Sequence, residues 1–212
     1  MATSMIGFRT VNIIHVIGVA FLVTLTNTLI SIYLAGFNLS GRFPFRFCQI
    51  QTLQNLSLVN NTLNGKITSR AFSRCSHLHF LSLANNYFSG KLPNFSPEFT
   101  NLENLDLSDN FFTGKIPASF GRRFPALRFL HLRSNDITDS IPSFLGNLRE
   151  LTLLELISNP LTPSPLPPEI GNLTKAREYV FFKFESHWDN NRLNWETCLA
   201  QESGLIEQFT FW

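Results

Sequence analysis

The chain has 212 residues, 15% of them charged, and a formal net charge of +2. So balanced a charge, with no Lys/Arg run, gives no electrostatic case for nucleic acid. The three cysteines, Cys48, Cys75 and Cys198, stand far apart and in no CxxC or Cys/His spacing, so no zinc site is expected.

In chain order, the first expected element is a targeting or anchoring segment. Between Arg9 and Arg42 there is no Lys, Arg, Asp or Glu, and Val11 to Leu25 is strongly apolar. One positive charge before an apolar run reads residues 1–28 as a signal-like or membrane-anchor hydrophobic segment. A reporter fused to it is expected to enter the secretory pathway.

From residue 29 one unit recurs. "IYLAGFNLSGRFP" begins at Ile32, "LSLVNNTLNGKIT" at Leu56, "LSLANNYFSGKLP" at Leu81, "LDLSDNFFTGKIP" at Leu105, "LHLRSNDITDSIP" at Leu130 and "LELISNPLTPSPLP" at Leu154. The leading leucines, Leu29, Leu53, Leu78, Leu102, Leu127 and Leu151, are spaced 24, 25, 24, 25 and 24 residues apart. A fixed period of this size predicts a stacked solenoid of about six repeats over residues 29–175.

Within a repeat, Leu78, Leu81 and Leu83 are predicted to point inward around a short strand, where alternate residues face opposite sides. Asn86 then satisfies backbone groups where the chain leaves the strand, and Asn85 faces the concave rim. Stacking gives an asparagine ladder of Asn61, Asn86, Asn110, Asn135 and Asn159, with Phe37 in that place in the first copy. Three further columns are predicted to be core: Leu63, Phe88, Phe112, Ile137 and Leu161; Ile67, Leu92, Ile116 and Ile141; and Ile50, Cys75, Phe99, Phe124, Leu148 and Leu173. Cys75 is thereby read as a small buried hydrophobe. Gly65, Gly90 and Gly114 supply turns. The register fades in a divergent tail, residues 176–212, where Ala176, Tyr179 and Phe181 keep apolar character and Phe184 replaces the ladder asparagine. Both ends of the array are therefore expected to be weakly capped.

The residues between the inward leucines face out. The candidate ligand-binding set is Phe80, Asp106, Phe129, His131, Arg133, Leu153 and Glu155. Asp106, His131, Arg133 and Glu155 are expected to form a compact polar patch beside an exposed strip of Phe80, Phe129 and Leu153. Ser82 lies two strands from His131, about 10 Å away, too far for a nucleophile–base pair. His77 and His79 flank Leu78 with no further ligand in view, so no metal and no cofactor are expected. Five N-x-Ser/Thr sequons, at Asn38, Asn55, Asn60, Asn94 and Asn172, are candidate glycosylation sites and fit a secreted context.

The repeated LxxLxLxxNxLxGxIP pattern, with return segments such as "SFLGNLREL", resembles plant-type leucine-rich repeats. The resemblance implies an α/β repeat solenoid, a right-handed coil with short parallel concave strands, irregular or 3-10 convex segments and a second short sheet. "LPNFSPEFTNLENLDLSDNFFTGKIPASFG" and "NPLTPSPLPPEIGNLT" look like the early ectodomain repeats of HAESA-like receptor kinases. That family implies a non-catalytic extracellular module that binds a secreted peptide or protein, with a co-receptor kinase as second partner, at the cell surface or secreted. The kinase motifs of the family are absent from this sequence, and no cysteine pair precedes Leu29. The alternatives are a secreted repeat inhibitor of a cell-wall-degrading enzyme and a truncated receptor fragment without function.

Overall fold

Two leucines separated by one outward residue set a three-residue strand in each repeat, and the computed structural model stacks these strands side by side. It describes residues 12–16, 19–23, 29–96, 98–176 and 178–180, the first two segments and the last as backbone strands. The principal sheet contains Asn12–Val16 (β1), Val19–Val23 (β2), Leu29–Tyr33 (β3), Asn55–Ser57 (β5), Phe80–Ser82 (β7), Asn104–Asp106 (β9), Phe129–His131 (β11), Leu153–Glu155 (β13) and Glu178–Val180 (β14), in that spatial order. The second sheet contains Ser40–Gly41 (β4), Thr62–Lys66 (β6), Tyr87–Lys91 (β8), Phe111–Gly114 (β10) and Asp136–Ile137 (β12). From β3 to β14 the principal sheet is parallel and in register, so that Leu56, Leu81, Leu105, Leu130 and Leu154 align. Most described return segments carry a 3-10 turn, such as Ser143–Asn147 and Pro168–Asn172, or the α-helical turn Phe120–Arg123, while residues 92–96 are irregular.

Every residue of the three core columns is buried except Ile50, which is partly covered. The many phenylalanines concentrate in the return side. Phe72 stacks on Phe95 at 4.8 Å, and Phe95 meets Phe120 and Phe124 edge-on at 5.4 and 4.8 Å. Edge-to-face rings of this kind add roughly 0.5–1.5 kcal/mol per pair beyond their burial. Two glycines let neighbouring return turns approach more closely than any side chain allows. A Cβ on Gly121 would lie 2.3 Å from the Phe144 carbonyl oxygen, and one on Gly146 only 2.0 Å from that of Glu169.

The ladder asparagines have a uniform geometry. Asn86 donates from Nδ2 to the carbonyls of Leu83, Ala84 and Leu58, and its Oδ1 accepts from the Leu63 N–H of the preceding repeat. Asn61, Asn110, Asn135 and Asn159 do the same one repeat before or after. The first copy needs no asparagine of its own, because Asn61 reaches back to the Leu34 carbonyl and the Leu39 amide. Phe37 instead packs against the core.

The residue before each asparagine also sets the backbone turn. Asn85 is exposed, but its decisive property is a φ of 51°. Gly36, Asn60, Asp109, Ser134 and Ser158 repeat this left-handed turn with φ between 51° and 74°. Such a conformation costs most L-residues about 1–2 kcal/mol and suits Gly, Asn and Asp best. A second left-handed position carries Gly41, Gly65, Gly90 and Gly114, with Asp139 in their place in the next copy at φ 77°. Asp139→Gly is expected to stabilise the protein by about 0.5 kcal/mol, since relief of the backbone outweighs the entropy of a glycine. A thermal melt checks this: an unchanged or lower transition temperature refutes it.

The cysteines correct the sequence reading. Cys75 is buried, but as half of a disulfide with Cys48, their Cα atoms 4.6 Å apart. The 27-residue separation hid the pair, because Cys48 sits two positions before Ile50, the residue that aligns with Cys75. Stacking brings the Phe45–Gln49 turn against the next return segment, whose Ser69–Phe72 turn is followed by Cys75. Cys198 lies outside the described residues, as do Phe181 and Phe184.

Further strands adjoin both ends of the array. β1 and β2 form an antiparallel hairpin, and β2 pairs antiparallel with β3, so backbone strands cover the edge of the first repeat. At the other end β14 pairs with β13, with Tyr179 opposite Leu154, so the principal sheet runs past residue 175. Among the described residues no helix is long and apolar enough to cross a membrane.

Candidate functional site

The outward row of the principal sheet places Ser82, Asp106, His131 and Glu155 on adjacent strands in direct register. His131 Nδ1 meets Glu155 Oε2 at 2.5 Å, both side chains about a quarter exposed. Asp106 is held separately: its Oδ2 accepts from the Ser82 hydroxyl at 3.0 Å, and its Oδ1 accepts from the Ser108 hydroxyl at 2.6 Å and from the Ser108 N–H. Arg133 turns away from both and donates to Asp109 Oδ2 at 3.1 Å. The expected compact patch is thus three separate pairings, each linking one repeat to the next. Ser82 lies two strands from His131, with its hydroxyl committed to Asp106. No cluster of three or more His, Cys, Asp or Glu side chains suited to a metal occurs among the described residues.

The apolar strip is less open than its sequence suggests. Phe80, Phe129 and Leu153 are half-buried, because neighbouring side chains in register cover their flanks. Arg128 adds to this, its guanidinium carbon 5.6 Å from the Phe129 ring centre. Asn104 sits in register between Phe80 and Phe129, and its Oδ1 is buried without a hydrogen-bond partner. Among the described residues the large exposed apolar side chains are instead Tyr33, Phe45, Tyr87 and Phe111. The last two belong to β8 and β10 of the second sheet, outside the face singled out by the leucine pattern.

Of the five sequon asparagines, Asn38, Asn60, Asn94 and Asn172 are exposed. Asn55 is half-buried and its Nδ2 donates to the Ser31 hydroxyl at 2.8 Å, so a glycan there would break that bond.

His79 faces Glu103, which also pairs with Arg128. His77 is different: its Nε2 is buried without a partner. Burial lowers its pKa below the usual imidazole value, and a hydrogen bond to the Ile50 backbone opposes the shift. As pH falls, the unfolded chain takes up this proton first. His77 therefore contributes stability that is lost from the ordinary imidazole range downward, until its lower folded pKa is passed. Melting temperature followed from pH 7.5 to 4.5 should fall less steeply in His77→Asn than in the wild type; parallel curves refute the assignment.

Both sheets, the asparagine ladder and the period are now accompanied by a direct match. The family model for Leucine Rich Repeat fits residues 77–98, 101–122 and 126–148. The array is built of leucine-rich repeats. Among curated proteins, this leucine-rich repeat chain is 48% identical over 59 residues to Receptor-like protein kinase 7 of Arabidopsis thaliana, a match covering 27% of this chain and 6% of that protein. Among solved structures it is similar to the Arabidopsis receptor kinase HAESA in complex with the peptide hormone IDA and the co-receptor SERK1, at 33% identity and a TM-score of 0.71. That likeness covers 76% of this chain and 27% of the other. PEPR1–AtPEP1 follows at 31% identity and a TM-score of 0.67, with 74% and 22% covered. The BIR2 ectodomain of Arabidopsis thaliana is similar at 27% identity and a TM-score of 0.58, over 71% of this chain and 78% of that one. The leucine-rich repeats described here thus span about a quarter of the HAESA and PEPR1 chains and a small fraction of the curated kinase.

Proposed function

We propose that the chain is a non-catalytic extracellular recognition module that binds a secreted peptide or protein on the outward face of its principal sheet. The observation that carries this reading is the in-register row Asp106, His131 and Glu155, with Arg133 and the half-buried Phe80, Phe129 and Leu153 beside it. Rigid strands supply the polar selectors, and the aromatic rings supply anchors of the kind that dominate binding energy. The likeness to the peptide-bound HAESA and PEPR1 structures supports the same reading. A co-receptor kinase as second partner, secretion or cell-surface display through residues 1–28, and glycans on the exposed sequons belong to it. The buried disulfide favours an oxidising compartment.

The test is direct binding of the purified chain to a panel of secreted plant peptides that includes IDA. At least one is expected to bind, and Phe129→Ala and Arg133→Ala are each expected to weaken it about tenfold, the scale of a 1–2 kcal/mol anchor. A chain that melts cooperatively yet binds no member of the panel overturns the proposal. So does binding that both variants leave unchanged.

A further inference from the structure

The second sheet has an outward face that the peptide-site reading does not use. Over its first four strands the outward positions are Asn38, Ser40 and Arg42; Thr62, Asn64 and Lys66; Tyr87, Ser89 and Lys91; and Phe111, Thr113 and Lys115. These positions hold four cations and no carboxylate, in a chain whose whole net charge is only +2, and the fifth strand ends the row with exposed Asp136 opposite Thr113. Arg42, Lys66, Lys91 and Lys115 are all exposed, and none forms an ion pair among the described residues. Every acidic partner in the ion pairs described above belongs to another surface.

The spacing is built in. Each cation directly follows a left-handed glycine, Gly41, Gly65, Gly90 or Gly114, so one positive charge recurs per repeat. Three of the aliphatic stems lie across the glycine of the next repeat: Arg42 Cγ is 3.9 Å from where a Cβ of Gly65 would be, Lys66 Cγ 2.9 Å from that of Gly90, and Lys91 Cγ 3.6 Å from that of Gly114. The strands are offset by two residues, which sets Lys66 opposite Ser89 and Ser89 opposite Phe111. Lys66 and Lys91, opposite Ser89 and Thr113, thereby stand two residues along the strands from Tyr87 and Phe111, whose rings stack at 5.9 Å and 19° and are about half exposed.

We infer that this face is a second binding site, for an acidic polysaccharide of the polyuronate type. A linear polymer with one carboxylate per sugar matches a row with one cation per repeat. The like charges of the row repel one another when no anion is present, so a polyanion gains from the whole set rather than from single pairs. Each pyranose ring also has a flat C–H face, which the open face of an exposed aromatic ring such as Tyr87 or Phe111 can cover. Neutral hydroxyl and amide groups at Ser40, Asn64, Ser89 and Thr113 stand between the two features and suit sugar hydroxyls. An acidic peptide could use the charges but has no such ring face.

The experiment measures binding of the full chain to oligogalacturonate, methyl-esterified oligogalacturonate and polyglutamate at about 0.15 M ionic strength, where the Debye length is about 8 Å. Oligogalacturonate is expected to bind at least tenfold more tightly than either of the others. Lys66→Ser/Lys91→Ser should weaken it at least tenfold and flatten its salt dependence. Tyr87→Ser/Phe111→Ser should weaken it about fivefold while leaving weak polyglutamate binding unchanged. Both double variants change exposed side chains, and a retained melting transition certifies their fold. Equal affinity for polyglutamate, or oligogalacturonate binding that neither folded variant alters, overturns the inference. No oligogalacturonate binding by the folded wild type overturns it as well.

Discussion

Asn110→Leu is expected to destabilise the protein by about 3 kcal/mol, or about 10 °C in melting temperature for a chain of this size. Asn110 Nδ2 donates to the carbonyls of Leu83, Leu107 and Ser108 at 3.0, 3.3 and 2.9 Å, and Oδ1 accepts from the Phe88 N–H at 3.0 Å. Each of the three carbonyls keeps another partner when Asn110 is lost. Leu83 retains Asn86, Leu107 retains Asn135 and Ser108 retains the Asn85 N–H. The Phe88 N–H is the group left buried and unpaired, at a cost of about 1–3 kcal/mol. The remainder comes from the three weakened carbonyls. Leucine matches asparagine in heavy-atom count but its methyl groups are bulkier than the amide, so no cavity forms and some overpacking adds to the loss. Asn60→Leu is the comparison. Asn60 is exposed, but its φ of 56° penalises leucine by about 1–2 kcal/mol, so it should lose roughly half as much. Equal losses by circular dichroism would show that the turn backbone, and not the buried amide, sets the stability.

Removing the Cys48–Cys75 bond should cost about as much. A closed loop of 27 residues restricts the unfolded chain by about 3.5 kcal/mol. Because contacts in a solenoid are local, the loss should concentrate in the first repeats. Hydrogen exchange on Cys48→Ala/Cys75→Ala is expected to show protection lost over residues 29–75 and largely kept over 102–156. Melting curves that coincide with and without reductant would mean the bond contributes nothing.

The ladder is written in the sequence because one chemical requirement, satisfying backbone groups in a buried turn, recurs every 24 or 25 residues and admits few side chains. The core columns are legible for the same reason. The disulfide is not periodic, and only stacking brings its halves together. The left-handed backbone at Asn85 is not legible in polarity: Gly36, Asp109, Ser134 and Ser158 share it with no common side chain. At the candidate site, strand register was readable, but the choice of partner was not. Arg133 could have met Asp106 or Asp109, and its reach decided for Asp109. The basic row was hidden by the overall charge, which averages it away.

The asparagines also give the array a direction. Each one serves the repeat before it: Asn135 accepts the Phe112 amide, Asn159 the Ile137 amide, and the reverse arrangement does not occur in the ladder. A repeat is therefore finished by its successor. The Leu161 amide, in the last of the ladder repeats, turns instead to the Asn159 carbonyl at 2.8 Å. During synthesis, each newly made turn would hold a bare amide until about two dozen further residues had emerged. Shortening the gene from its 3′ side would strand such a backbone amide, whereas shortening it from the 5′ side would leave an asparagine side chain without one carbonyl acceptor and without the N–H that its Oδ1 accepts.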